Sequence, residues 1–122
     1  MGRETDQSLE RVELGFGMTE GRYQNKIIKK LERMFPDCVI MKTDSSYQQG
    51  IPDLLILWEG YWASLEVKTS PSAPIQPNQG YYLDKLNRMS FAAYIYPENE
   101  EEILGALQQA FKPPRRARVL KS

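Results

Sequence analysis

The chain has 122 residues, 41% hydrophobic and 26% charged, which is ordinary globular composition with room for one domain around a single core. It has no histidine and one cysteine, Cys38, which excludes imidazole zinc sites, Ser-His-Asp and Cys-His nucleophile systems and an internal disulfide framework. Without imidazole or a thiolate set, hydrolytic chemistry here must rest on carboxylates, lysine and a hard metal ion. The zero formal net charge at first argues against a nucleic-acid partner.

Residues 1–18 show weak periodicity and end in Gly15-Phe16-Gly17, which reads as a loosely ordered arm. Thr19 is a good helix N-cap, and Tyr23, Ile27, Leu31 and Met34/Phe35 recur at helical spacing up to Pro36. Cys38 to Lys42 reads as a buried strand, with the Cys38 thiol in the interior and suited to a reducing compartment. A polar loop from Thr43 to Gly50 follows. Two β-rich runs, Asp53 to Trp58 and Tyr61 to Lys68, are separated by Glu59-Gly60, the signature of a tight hairpin.

Three prolines between Thr69 and Pro77 make that segment a loop. Asn78 is placed to cap a second helix marked by Gln79, Tyr82/Leu83 and Leu86. Phe91 to Tyr96 reads as a fourth strand, and Ile103, Leu107 and Ala110/Phe111 as a last helix ended by Pro113-Pro114. The expected fold is α/β: one α-β-β-β-α-β domain over residues 19–111 with a mixed sheet and a C-terminal helix, then a basic tail at 112–122. No stretch approaches the roughly 18 apolar residues of a membrane span. The polar, acidic first twenty residues offer no secretory leader, so a cytoplasmic location is expected.

The charge is unevenly spread. Lys112, Arg115, Arg116, Arg118 and Lys121 crowd the tail, and Arg22, Lys26, Lys29, Lys30 and Arg33 share the first helix. A neutral total can hide a basic strip that faces a phosphate backbone, with Lys26, Lys29, Lys30, Lys42, Arg115 and Arg116 as the contacts. A solvated helix face and a plain tail would look the same in sequence.

The chemistry lies in the hairpin. If Glu59-Gly60 is a two-residue loop, Trp58 lies across from Tyr61, and stepping back along the strands sets Asp53 across from Glu66. Directly opposed residues project from one face with Cβ atoms about 4.5–5.5 Å apart. Two carboxylates so close repel unless a cation lies between them or one is protonated. Lys68 is two residues past Glu66 and joins that face, while Val67 points to the opposite side and packs. Such a group suits Mg²⁺, which takes oxygen ligands and often one or two carboxylates with substrate phosphate. Phosphodiester hydrolysis is the reaction class this favours. A strand-start Asp, an exposed Glu and a surface ion-pair Lys are the plainer alternative.

Gly50-Ile51-Pro52-Asp53, Leu65-Glu66-Val67-Lys68 and Gln79 at the start of the next helix together resemble the PD-(D/E)XK nuclease superfamily, most closely its VRR-NUC group. The resemblance covers roughly residues 19–97 and implies a restriction-endonuclease-like domain. It implies that Asp53 and Glu66 are metal ligands with the Val67 carbonyl, that Lys68 is the catalytic lysine, and that Gln79 places substrate or water. It also implies a metal-ligating glutamate on the first helix, matched by Glu20 with Gln24 one turn on, although a first-turn acid also suits the helix dipole.

The cofactor implied is Mg²⁺, with Mn²⁺ able to substitute. Small stand-alone members resemble Holliday-junction resolvases, so the implied partner is branched DNA and the implied assembly a homodimer, suited to a phage-encoded protein in the host cytoplasm. Trp58, Tyr61 and Trp62 at the hairpin turn offer either a dimer interface or core packing. A restriction-like or nicking nuclease on duplex DNA, and a catalytically silent nucleic-acid binding module, are the alternatives. The proline-rich loop after Lys68 and the lack of a core arginine pair depart from the group's pattern and leave substrate preference open.

Overall fold

The computed structural model describes residues 19–44 and 46–112. The expected arm over 1–18, and Arg115 and Arg116 of the expected tail, lie outside the described residues. Along the chain come helix α1 (Glu20–Met34), strands β1 (Val39–Lys42), β2 (Leu54–Trp58) and β3 (Tyr61–Val67), helix α2 (Gln79–Met89) and strand β4 (Phe91–Ile95). A 3₁₀ turn (Pro97–Asn99) then leads into helix α3 (Glu100–Ala110). The protein is an α/β domain with a four-stranded mixed sheet in the order β1-β2-β3-β4. The first three strands are antiparallel, and β4 runs parallel to β3. Among the described residues, no helix is long and apolar enough to cross a membrane.

Thr19 caps α1, its side chain accepting the Arg22 N–H at 3.2 Å. Tyr23, Ile27 and Leu31 then bury one stripe of the helix against the sheet. The other side of that core comes from Leu54 and Ile56 of β2, Ala63, Leu65 and Val67 of β3, Ile95 of β4, and Leu104, Leu107 and Phe111 at the C-terminal end. Ile27 and Leu31 have no exposed surface, and burial of each is worth about 1.5–3 kcal/mol. Helix α2 lies against β3 and β4 on the opposite face, where Leu83, Ala92 and Ser64 are buried outside the main core.

The hairpin forms as expected. Glu59 and Gly60 both have positive φ, at 53° and 87°, which gives the tight turn a twist that matches the strands it joins. Trp58 pairs with Tyr61 and Leu54 with Leu65, so the ladder runs straight toward Asp53 and Glu66.

Three expectations are corrected. Among the described residues strand β1 is an edge strand paired only with β2, and it is not buried: Val39 is 53% and Met41 51% exposed. A short apolar run reads alike in an edge and a central strand, and pairing alone separates them. Cys38 is half-buried rather than interior, with its Sγ 4.0 Å from the Leu31 carbonyl, and burial raises its thiol pKa. Asn78 does precede α2, but in a left-handed conformation (φ 70°) with no side-chain capping bond.

Candidate metal centre

A cleft of about 770 Å³ opens at the end of the sheet where β2 begins and β3 ends. Glu20 enters it from the first residue of α1, Asp53 from the residue before β2, Glu66 and Lys68 from the end of β3, and Gln79 from the first residue of α2. Five residues far apart in sequence thus converge because four element termini meet at one end of the sheet.

The expected opposition of Asp53 and Glu66 is present and reciprocally latched. The Asp53 N–H donates to Glu66 Oε1 at 3.1 Å, and the Val67 N–H donates to Asp53 Oδ2 at 3.0 Å. Each carboxylate is oriented by the backbone of the other strand. Val67 itself has no exposed surface and sits in the core, on the opposite face from Glu66 and Lys68. Gln79 Nε2 donates to Glu66 Oε2 at 2.6 Å, while Gln79 Oε1 accepts the Gln76 N–H at 3.2 Å. That second bond sets which end of the Gln79 amide faces Glu66. Lys68 Nζ lies 3.6 Å from Glu66 Oε2 and donates to the Pro74 carbonyl at 2.8 Å.

One oxygen each from Glu20, Asp53 and Glu66 lies within 4.8 Å of the others. Burial raises the Glu66 pKa to about 7, with the Asp53 charge adding and Lys68 opposing. Burial likewise raises Asp53, against the Val67 N–H and Lys68, which favour its charged form. Glu20 is exposed as a residue, but its carboxyl end sits in the cleft wall. Burial there, then the charge of Asp53, raise its pKa. A hydrogen bond between these two carboxyls raises Glu20 and lowers Asp53. Three crowded carboxylates held near one another, with one lysine beside them, form a site short of positive charge. Hard oxygen donors with no thiolate or imidazole suit Mg²⁺, Mn²⁺ or Ca²⁺.

The loop that carries Asp53 is pinned. The Thr43 N–H donates to the Asp53 carbonyl at 2.9 Å, and its hydroxyl donates to the Pro52 carbonyl at 2.5 Å. Gly50 has φ +97°, and a Cβ there would meet Asn78 atoms at 2.7 Å, so only glycine lets this loop close on the start of α2. Gln48 Nε2 also donates to the Tyr82 hydroxyl, a second tie between the same two segments.

No family model, curated protein or solved structure matches the chain. What the site can do therefore follows from its own atoms.

The other expected residues divide. Lys26, Lys29 and Lys42 are exposed. Lys30 is instead ion-paired to Glu100 at the start of α3, and Tyr23 Oη donates to the same carboxylate at 3.0 Å, so Lys30 is engaged in holding α1 to α3. Of the two parts open to Trp58 and Tyr61, packing is the one seen. Both rings stack on Phe111, Trp58 also meets Phe35, and its indole N–H donates to the Pro36 carbonyl at 2.9 Å.

Thr43, which pins the loop carrying Asp53, and Tyr94, the ladder partner of Glu66, support this site and are passed over in the sequence reading. Thr43 could be found only from the β1–β2 register, and no tight turn anchors that pairing for counting. Tyr94 pairs with Glu66 across the parallel β3–β4 ladder, whose register is hidden by the intervening loop and helix.

Proposed function

We propose that this chain is a Mg²⁺-dependent endonuclease that hydrolyses phosphodiester bonds of DNA, with branched DNA such as a four-way junction as its substrate and a homodimer as its working form. The observation that carries the reading is the convergence of Glu20, Asp53 and Glu66 in one cleft, with the Lys68 ammonium 3.6 Å from Glu66. The resemblance of the Asp53 and Glu66-Val67-Lys68 segments to PD-(D/E)XK nucleases of the VRR-NUC group supports it. Mn²⁺ is expected to substitute for Mg²⁺.

Asp53, Glu66 and Glu20 would hold the cation, with the Val67 carbonyl as a further oxygen. A bound divalent ion supplies Lewis-acid polarisation of a phosphoryl oxygen. The chain's own residues do the rest. Val67 N–H and Asp53 N–H fix the two carboxylates, so little reorganisation remains when substrate arrives. Gln79 holds Glu66 from the second helix. Lys68, almost fully buried, keeps an ammonium beside the carboxylates, where it orients an attacking water or offsets charge developing on the phosphate. Lys26, Lys29 and Lys42 supply exposed positive charge for the backbone of a bound strand.

The test is a panel of end-labelled four-way junction, flap and linear duplex incubated with Mg²⁺. Paired, symmetric incision of the junction is expected. Equal cutting of linear duplex would favour a restriction-like or nicking enzyme. Binding without cleavage of any substrate would overturn the enzymatic reading in favour of a silent binding module.

A further inference from the structure

A second, smaller hollow of about 140 Å³ lies beside the cleft, and Lys68 lines both. Its placement follows from the sheet register. Glu66 pairs with Tyr94 in the parallel β3–β4 ladder, and Lys68 N–H donates to the Ile95 carbonyl at 2.9 Å, so the ladder continues past β3. Tyr96 remains extended (φ −148°, ψ 166°), so alternation returns its side chain to the face of Tyr94. Two phenol rings therefore stand next to the Glu66–Lys68 pair, in a hollow completed by Ser70, Pro71 and Ile75 of the 69–77 loop. Ile75 is 63% exposed at the mouth.

We propose that this hollow is a nucleobase subsite, taking the base of a nucleotide next to the phosphate held in the cleft. The inference rests on the nuclease reading of the cleft and adds what that reading lacks, a determinant of substrate structure. The chemistry is that of base recognition: aromatic rings for stacking, aliphatic surface opposite them, and hydroxyls to meet a base edge. Its place beside the cleft, with Lys68 lining both, matches a nucleotide, whose base and phosphate are covalently one unit. A base seated there has left the duplex stack. Intact duplex must first unstack a nucleotide, which costs a few kcal/mol, whereas a branch with a single-stranded flap, gap or bulge offers one already unpaired, and a fully paired four-way junction must unpair one at its crossover. The hollow thus selects for DNA with an unpaired nucleotide at the cut.

The test needs no cleavage. Thymidine 5′-monophosphate is titrated into the full chain while the Ile75 methyl and the Tyr94 and Tyr96 ring resonances are followed by NMR, with deoxyribose 5-phosphate as the control. The nucleotide should move these resonances saturably, and the control should not. Tyr96→Ala should weaken binding about tenfold, and Tyr96→Phe, which keeps the ring, should retain it. Equal shifts from the control, or no shift at Ile75 and Tyr96 from the nucleotide, overturn the inference. A chain that cuts DNA but leaves these resonances still loses the subsite and keeps the nuclease reading; a chain that cuts no DNA loses the nuclease reading whatever the titration shows.

Discussion

Raising the pH of the cation-free protein should destabilise it, and Glu66 should carry most of the effect. Glu66 is 2% exposed, and its pKa stands at about 7 against an ordinary 4.5. Because the folded-state value is raised, the folded protein binds more protons than the unfolded chain between these two values. Stability is therefore full below pH 4.5 and falls as pH rises through 7. At 1.36 kcal/mol per pH unit, the loss is about 3 kcal/mol. For a domain of this size, that corresponds to roughly 10–20 °C in melting temperature. Asp53 and Glu20 are raised as well and add in the same direction. Asp44, held down by hydrogen bonds from Ser46, acts in the opposite sense but only below its ordinary 3.8, outside the window. The assay is urea unfolding in EDTA from pH 4.5 to 8, for wild type and Glu66→Gln. The variant should lose most of the slope. Its absolute stability is not the criterion, because an amide at position 66 has one acceptor where the carboxylate has two, and so meets either the Asp53 N–H or Gln79 Nε2 donor to donor. A wild-type stability that stays level across the window, or parallel curves for the two proteins, would refute the picture of buried, mutually repelling carboxylates.

Four further outcomes are expected. Mg²⁺ in excess should raise the unfolding midpoint, by about 2.7 kcal/mol at a hundred times its Kd, more at pH 8 than at pH 5, and Asp53→Asn should abolish the gain in thermal melts. Gly50→Ala should cost about 2 kcal/mol or more in chemical denaturation, from positive φ and the clash with Asn78 together. Lys26→Ala and Lys29→Ala should each reduce the salt dependence of DNA binding by about one phosphate contact. Lys30→Ala should leave that dependence unchanged and lower stability, since its ammonium is held by Glu100.

How much of this was legible depended on how far each contact reached along the chain. The Asp53–Glu66 opposition could be counted residue by residue from the Glu59-Gly60 turn, because a two-residue loop fixes register. The stripe of Tyr23, Ile27 and Leu31 was equally plain, since helical spacing is local. Contacts spanning many residues were not legible in local pattern, and Glu20 and Gln79 were reached only through the family resemblance. Nothing near Lys30 announces Glu100, seventy positions on. Nothing near Trp58 and Tyr61 announces that Phe111 will cover them. The exposure of β1 depends on there being no strand beyond it among the described residues. The local pattern Val39-Ile40-Met41 is silent on that point. Gly50 stood out as part of a motif, but its reason, the approach of Asn78, belongs to tertiary structure.

The most direct measurement is the rate of incision of a labelled four-way junction against Mg²⁺ concentration, for wild type and Asp53→Asn, with junction binding followed in parallel by gel shift. Symmetric cuts that saturate with Mg²⁺ in wild type and vanish in Asp53→Asn, with binding retained, are predicted. Incision that survives Asp53→Asn, or a wild type that binds the junction and leaves it whole at every Mg²⁺ concentration, would contradict the assignment of hydrolysis to this cleft.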